Sequence, residues 1–149
     1  MNTIAGDVAP KCQWKVENGM NEIQFTIDTP PRSKKNSQRI LINRRTGRPF
    51  ISPSDAYKAY RKAALMMIPS GARQSIGYPV NVKGVFYMPT RRDCDLLNML
   101  EALCDVLVDA DVIMDDKYKI VAGHDGSRVM YDKEHSRTEV TITRMEVGE

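Results

Sequence analysis

Asp93-Cys94-Asp95-Leu96-Leu97-Asn98-Met99-Leu100-Glu101-Ala102-Leu103-Cys104-Asp105-Val106-Leu107-Val108-Asp109 runs at helical period and continues to Asp115-Asp116. At about 100° per residue, Leu96, Leu97, Met99, Leu100, Leu103, Cys104 and Leu107 fill one side of a helix. Asp95, Asn98, Glu101, Asp105 and Asp109 fill the other side. Eight carboxylates lie between Asp93 and Asp116, with no Lys or Arg among them. Solvated helices usually mix both signs, because opposite charges at i,i+4 support a helix and like charges oppose it. A face that repels itself calls for a cation, and this segment supplies none. The same acids would suit a wetted surface or a helix cap. The missing counter-charge and the second acid pair, Asp115 and Asp116, favour a divalent-metal site. Mg²⁺ takes one or two carboxylates and keeps several waters, so acids from two elements suffice.

The chain on either side reads as short strands and one further helix. Val80, Val82, Val85 and Tyr87 predict a strand from Pro79 to Pro89, with Gly84 marking a bulge. Before it, Ser52 caps a helix, Pro53 takes its first position and Asp55 its first turn. That helix runs to about Ile68, with Tyr57, Tyr60, Ala64 and Met67 toward the core and Lys58, Arg61 and Lys62 outward. Arg39–Asn43 and Arg48–Ile51 flank Arg44-Arg45-Thr46-Gly47 and predict a β-ribbon. Glu22–Asp28 alternates as a half-buried strand, ended by Pro30-Pro31. Downstream, Lys117–Ala122 reads as a strand, Gly123–Gly126 as a turn, and Ser136–Arg144 as a last strand with Val140 and Ile142 inward. The order predicts an α+β fold with a small mixed sheet and two main helices. Residues 20–149 form its single domain. Residues 1–19, with Trp14 as their one large anchor, are an N-terminal extension, either disordered or an added edge strand.

Composition narrows the chemistry. A chain of 149 residues suits one core. No apolar run is long enough to span a membrane. No signal segment opens the chain, which places it in the cytoplasm. Cys12, Cys94 and Cys104 lack metal-ligand spacing and read as reduced thiols. Only two histidines, His124 and His135, are present, so carboxylates must carry any metal chemistry. Asp109-Ala110-Asp111 does not continue as an EF-hand loop. No Gly-x-Ser-x-Gly motif or nucleotide-binding P-loop occurs, and no nucleotide cofactor is expected. Between Pro31 and Phe50 stand seven basic residues and no acid: Arg32, Lys34, Lys35, Arg39, Arg44, Arg45 and Arg48. A basic segment and an acidic one in the same chain suggest a polyanion held near a metal.

Met88-Pro89-x-Arg91-Arg92-x-x-Asp95-Leu96-x-Asn98, then Asp105 and Asp115-Asp116, resembles the RusA family of Holliday-junction resolvases. That family's core reads roughly Arg-x-Asp-x-Asp-Asn-x-x-Lys-x-x-x-Asp, with Asp-Asp ten residues later. Thr29-Pro30-Pro31 with Asn36, and Ser54 through Tyr60-Arg61, resemble its upstream motifs, and the likeness runs from near Met20 to about Arg144. The resemblance implies a Mg²⁺-dependent homodimeric endonuclease, with Mn²⁺ able to substitute, that nicks opposed strands of four-way DNA. It also implies a bacterial host, often with a phage or prophage gene. By position, Asp95 matches the first essential acid, Asp116 the later one with Asp115 beside it, and Asp105 a further acid. Leu97 stands where the family has its second essential Asp, and Glu101 where it has Lys. Glu101, one turn along, is the expected replacement carboxylate, and Asp93 is a second candidate. The expected catalytic set is Asp95, Glu101, Asp105 and Asp116; the expected metal ligands are Asp95, Glu101, Asp115 and Asp116. Arg32, Lys34, Lys35, Arg39, Arg44, Arg45, Arg48, Arg91 and Arg92 are the expected DNA contacts. A junction-binding protein without catalysis and a less selective branched-DNA nuclease are the alternatives.

Overall fold

The computed structural model describes residues 13–17, 20–34 and 38–146. Lys35, Asn36, Cys12 and most of the N-terminal extension lie outside the described residues, and so does the Arg39 side chain. The strands are β1 (Gln13–Glu17), β2 (Met20–Ile27), β3 (Gln38–Ile42), β4 (Pro49–Pro53), β5 (Val80–Met88), β6 (Val121–Gly123), β7 (Arg128–Tyr131) and β8 (Arg137–Arg144). The helices are α1 (Asp55–Met67) and α2 (Leu96–Asp109). The fold is α+β, as its segment order predicts.

The main sheet runs β1-β2-β8-β5, antiparallel throughout. On its other edge β5 takes two parallel partners, β6 at its start and β7 at its end. Period-2 alternation puts Ile23, Phe25, Ile27, Val82, Phe86, Val140 and Ile142 on one face. They join Tyr57, Tyr60 and Ala64 of α1 and Met99, Leu100, Leu103, Val106 and Leu107 of α2 in a single core. Strands β3 and β4 form a separate two-stranded sheet. Among the described residues, no helix is long and apolar enough to cross a membrane.

Several local expectations are corrected. Ser54, not Ser52, caps α1: its side chain accepts from the Tyr57 amide at 3.1 Å. Ser52 and Pro53 belong to β4, whose pairing with β3 extends to Gln38↔Pro53. Gly84 marks no bulge, since β5 keeps register with β8 through Gly84↔Val140. Its reason is a close approach: a Cβ there would lie 2.8 Å from Leu103 Cδ2 and 3.0 Å from Phe86 Cζ. Leu97 is not core but 72% exposed. It sits in the first turn at the rim of an arc centred on Leu103, and Ala102 and Val106 complete that arc instead. Lys117–Ile120 is a turn rather than a strand, closed by Ile120 and Val121 amides on Lys117 O. Strand β7 escapes sequence reading because it is short and mostly exposed, and it exists by pairing with β5.

The end of α2 decides where the last acids go. The Asp111 amide bonds Val108 O at 3.0 Å and the Val112 amide bonds Leu107 O at 2.9 Å, with Asp111 at φ 60°. This is a Schellman stop with Asp in the left-handed position that Gly usually takes. The reversed chain is then strapped to the loop before β5. Ser75 and Ile76 amides bond Asp111 and Val112 carbonyls, and the Met114 amide bonds Ile76 O. Val112 and Ile113 are fully buried in this strap. Asp111→Val should cost about 1–2 kcal/mol, because a β-branched side chain fits the left-handed region badly. Asp111→Gly should melt at or above wild type in urea. Equal losses in both would mean that the turn does not limit stability.

Candidate active site

The strap returns Asp115 and Asp116 beside the last turns of α2. A cleft of about 640 Å³ opens there, lined by Lys34, Tyr57, Lys58, Arg61, Asp105, Val108, Asp109 and Asp116. Three segments supply its charges: the basic loop after β2, the outer side of α1, and the acids of α2 with the strap. Lys34 Nζ stands 3.9 Å from Asp105 Oδ2. Arg61 Nε donates to Asp109 Oδ2 at 2.7 Å, which ties α1 to the end of α2. The Asp116 amide donates to Asp115 Oδ1 at 2.7 Å, and Lys117 Nζ lies 3.5 Å from Asp115 Oδ2. Asp115 is thereby held by its own backbone neighbour while Asp116 lines the cleft.

The acids near the cleft influence one another electrostatically. Burial lifts the Asp105 carboxyl above its ordinary value of 3.8; Lys34 opposes the rise, and Asp116, Glu101 and Asp109 add to it. The buried Cys104 thiol is pushed up to about 12 by burial, then by Asp116 and Asp105. Asp115 is held low, chiefly by the Asp116 amide. A raised carboxyl pKa means the folded state holds that proton more tightly than the unfolded chain. The linked stability is present below about pH 4 and lost as pH rises through the folded value. Asp105→Asn should therefore melt higher than wild type at neutral pH, with the gain vanishing near pH 3. A gain independent of pH would contradict this cause.

The remaining predicted residues are spread more widely. Asp95 caps α2, its Oδ1 accepting the Leu97 amide at 2.9 Å. It precedes Asp105 by ten residues, about 15 Å along the helix axis, so one ion cannot bridge both. Glu101 lies between them, exposed, one turn before Asp105. Among the described residues, no group of three or more His, Cys, Asp or Glu stands ready to hold an ion. Asp105 and Asp116 are the carboxylates that line the cleft together with Asp109, and Mg²⁺ takes only one or two carboxylates, filling its shell with water and phosphate oxygens. Arg32 and Arg92 share a second groove of about 470 Å³ with Ser33, Thr90, Asp93 and Cys94. Arg91 turns away and stacks on Tyr131, 4.2 Å from its ring centre. Arg44, Arg45 and Arg48 lie exposed at the ribbon tip. Tyr57 at the cleft wall reads as core from the sequence; its i,i+1 and i,i+4 neighbours Lys58 and Arg61 were the signal that its helix face borders a site.

The sheet, the cleft and the paired acids define a small α+β nuclease-like domain. The model of the RusA endodeoxyribonuclease family matches residues 28–143. The chain belongs to that family, a family of endodeoxyribonucleases, hydrolases of DNA phosphodiesters. No curated protein matches the chain.

Proposed function

We propose that this protein is a Mg²⁺-dependent resolvase that cuts opposed strands of a four-way DNA junction as a homodimer. The observation that carries the reading is Asp116 brought beside Asp105 in a cleft rimmed by Lys34, Lys58 and Arg61. Asp105 and Asp116 would hold the ion, with Glu101 one turn away and Asp115 beside. Asp95 holds the family's first acidic position but caps α2, ten residues before Asp105 and out of reach of an ion held there. A Mg²⁺ ion held by these residues would supply activation of a water for attack and charge neutralisation at the phosphodiester. Lys34, Lys58 and Arg61 hold phosphate next to the acids, and Arg32 with Arg92 take the next stretch of backbone. Two strands must be cut, and a two-fold dimer presents two equivalent sites.

The departures at Leu97 and Glu101 favour one second reading, a junction binder that does not cut. A synthetic four-way junction incubated with Mg²⁺ and resolved on a denaturing gel separates the two. Paired symmetrical nicks support the resolvase. A gel shift without nicks gives the second reading, and equal cutting of flaps and plain duplex gives a less selective nuclease. Binding carried by these cations should weaken steeply with salt.

A further inference from the structure

We infer that the β3–β4 ribbon is the surface on which a second copy of this chain docks, and that its arginine tip reaches the acidic cleft of that copy. This rests on the homodimer reading and assigns its surface. The ribbon pairs Ile40↔Ile51, Leu41↔Phe50 and Ile42↔Pro49, and opposed residues share a face. One face therefore carries Ile40, Ile42 and Ile51, exposed by 78%, 69% and 66%. The other carries Leu41 and Phe50, themselves partly exposed. An isolated two-stranded ribbon is marginal in water, and a contiguous apolar face marks an interaction site.

Shape and charge both select a second copy as the occupant. A flat isoleucine face meets its own image across a two-fold axis with no other surface required. Strands of five residues span about 17 Å, so antiparallel stacking lays each tip over the other ribbon's root. That root runs through Ser54 into Tyr57 and Lys58, which line the acidic cleft, and Lys34 lines it from the other side. The tip carries Arg44, Arg45 and Arg48; the stretch from Asp93 to Asp116 holds eight carboxylates and no Lys or Arg, and its cleft acids Asp105, Asp109 and Asp116 stand beside Lys34, Lys58 and Arg61. The two segments complement each other in trans. DNA alone would satisfy the arginines, yet it offers three isoleucines an apolar surface only at an opened base step. In this arrangement the tip holds DNA over the partner's acids rather than its own.

Sedimentation velocity without DNA or metal tests the surface. Wild type should run as a dimer at micromolar concentrations, and Ile40→Ser/Ile51→Ser as a monomer with unchanged far-UV circular dichroism. A monomeric wild type, or a variant that stays dimeric, overturns the assignment. Should the double variant unfold, Ile51→Cys in a Cys12→Ser/Cys94→Ser background replaces it: mild oxidation should yield a covalent dimer, and its absence overturns the proposal. Subunit mixing tests the tip. Asp116→Asn and Arg44→Ser/Arg45→Ser/Arg48→Ser should each fail to nick alone, and mixed should regain nicking, because only the mixed dimer joins intact acids to an intact tip. No recovery, or a tip variant that nicks like wild type alone, overturns the tip's role. If wild type never nicks, the resolvase reading fails while the sedimentation result still decides the interface.

Discussion

Asp116→Asn should abolish junction cleavage while junction affinity stays near wild type. Loss of a ligand carboxylate removes several kcal/mol of transition-state stabilisation, about a thousandfold or more in rate. Asn keeps the shape and the backbone hydrogen bond that orients Asp115, so the strap is undisturbed. The cations that line the cleft, Lys34, Lys58 and Arg61, are not altered. Removing one of two facing acids also relieves repulsion toward Asp105, so folding should not suffer. Single-turnover nicking and fluorescence anisotropy on the same junction separate rate from binding. Full cleavage by this variant would end the assignment of Asp116, and loss of binding together with cleavage would make it a structural residue.

The largest stability effect belongs to the helix–sheet contact under the site. Leu103 is fully buried, and its Cδ2 occupies the space that a side chain at Gly84 would need. Leu103→Ala should cost about 2–5 kcal/mol. For a domain of this size the melting temperature falls on the order of 10 °C. Gly84→Ala alone should cost about 1–3 kcal/mol, because Leu103 and the Phe86 ring have no room to move aside. Combined, the two should cost less than their sum, since the new methyl enters the new cavity, with a coupling of about 0.5–3 kcal/mol. Chemical melts of the two single variants and the double variant measure it. Simple additivity would mean that the close approach does not limit the packing of α2. Because α2 carries Asp105, Gly84→Ala should also lower nicking more than Asp111→Gly does.

Much of the architecture is legible without coordinates. The wheel of α2 divides apolar from acidic positions, and Glu101, Asp105 and Asp109 do face outward or into the cleft. Strands β2, β5 and β8 follow their period-2 patterns, and the basic ribbon is drawn by its Gly-containing turn. These features are legible because period and turn chemistry act over a few residues. Local energetics also place a helix start near Ser52–Asp55, although two serines flanking Pro53 compete and only strand pairing chooses Ser54.

Other features depend on contacts distant in sequence. Leu97 looks apolar enough for the core, but the sheet beneath α2 is centred on Leu103, and a rim position stays wet. Strand β7 has no pattern of its own; the free edge of β5 makes it a strand. The same holds for the site. Sequence alone determined that this chain would carry an acidic helix face with no Lys or Arg in its own segment, a basic segment and a second acid pair, since composition and period fix which side of a helix is charged. Only the tertiary structure decided that Asp116 lines one cleft with Asp105, together with Lys34 and Arg61. The reversal at Asp111 and the strap to Ser75–Ile76 set that placement. Those hydrogen bonds join residues some forty positions apart, where no local period carries information.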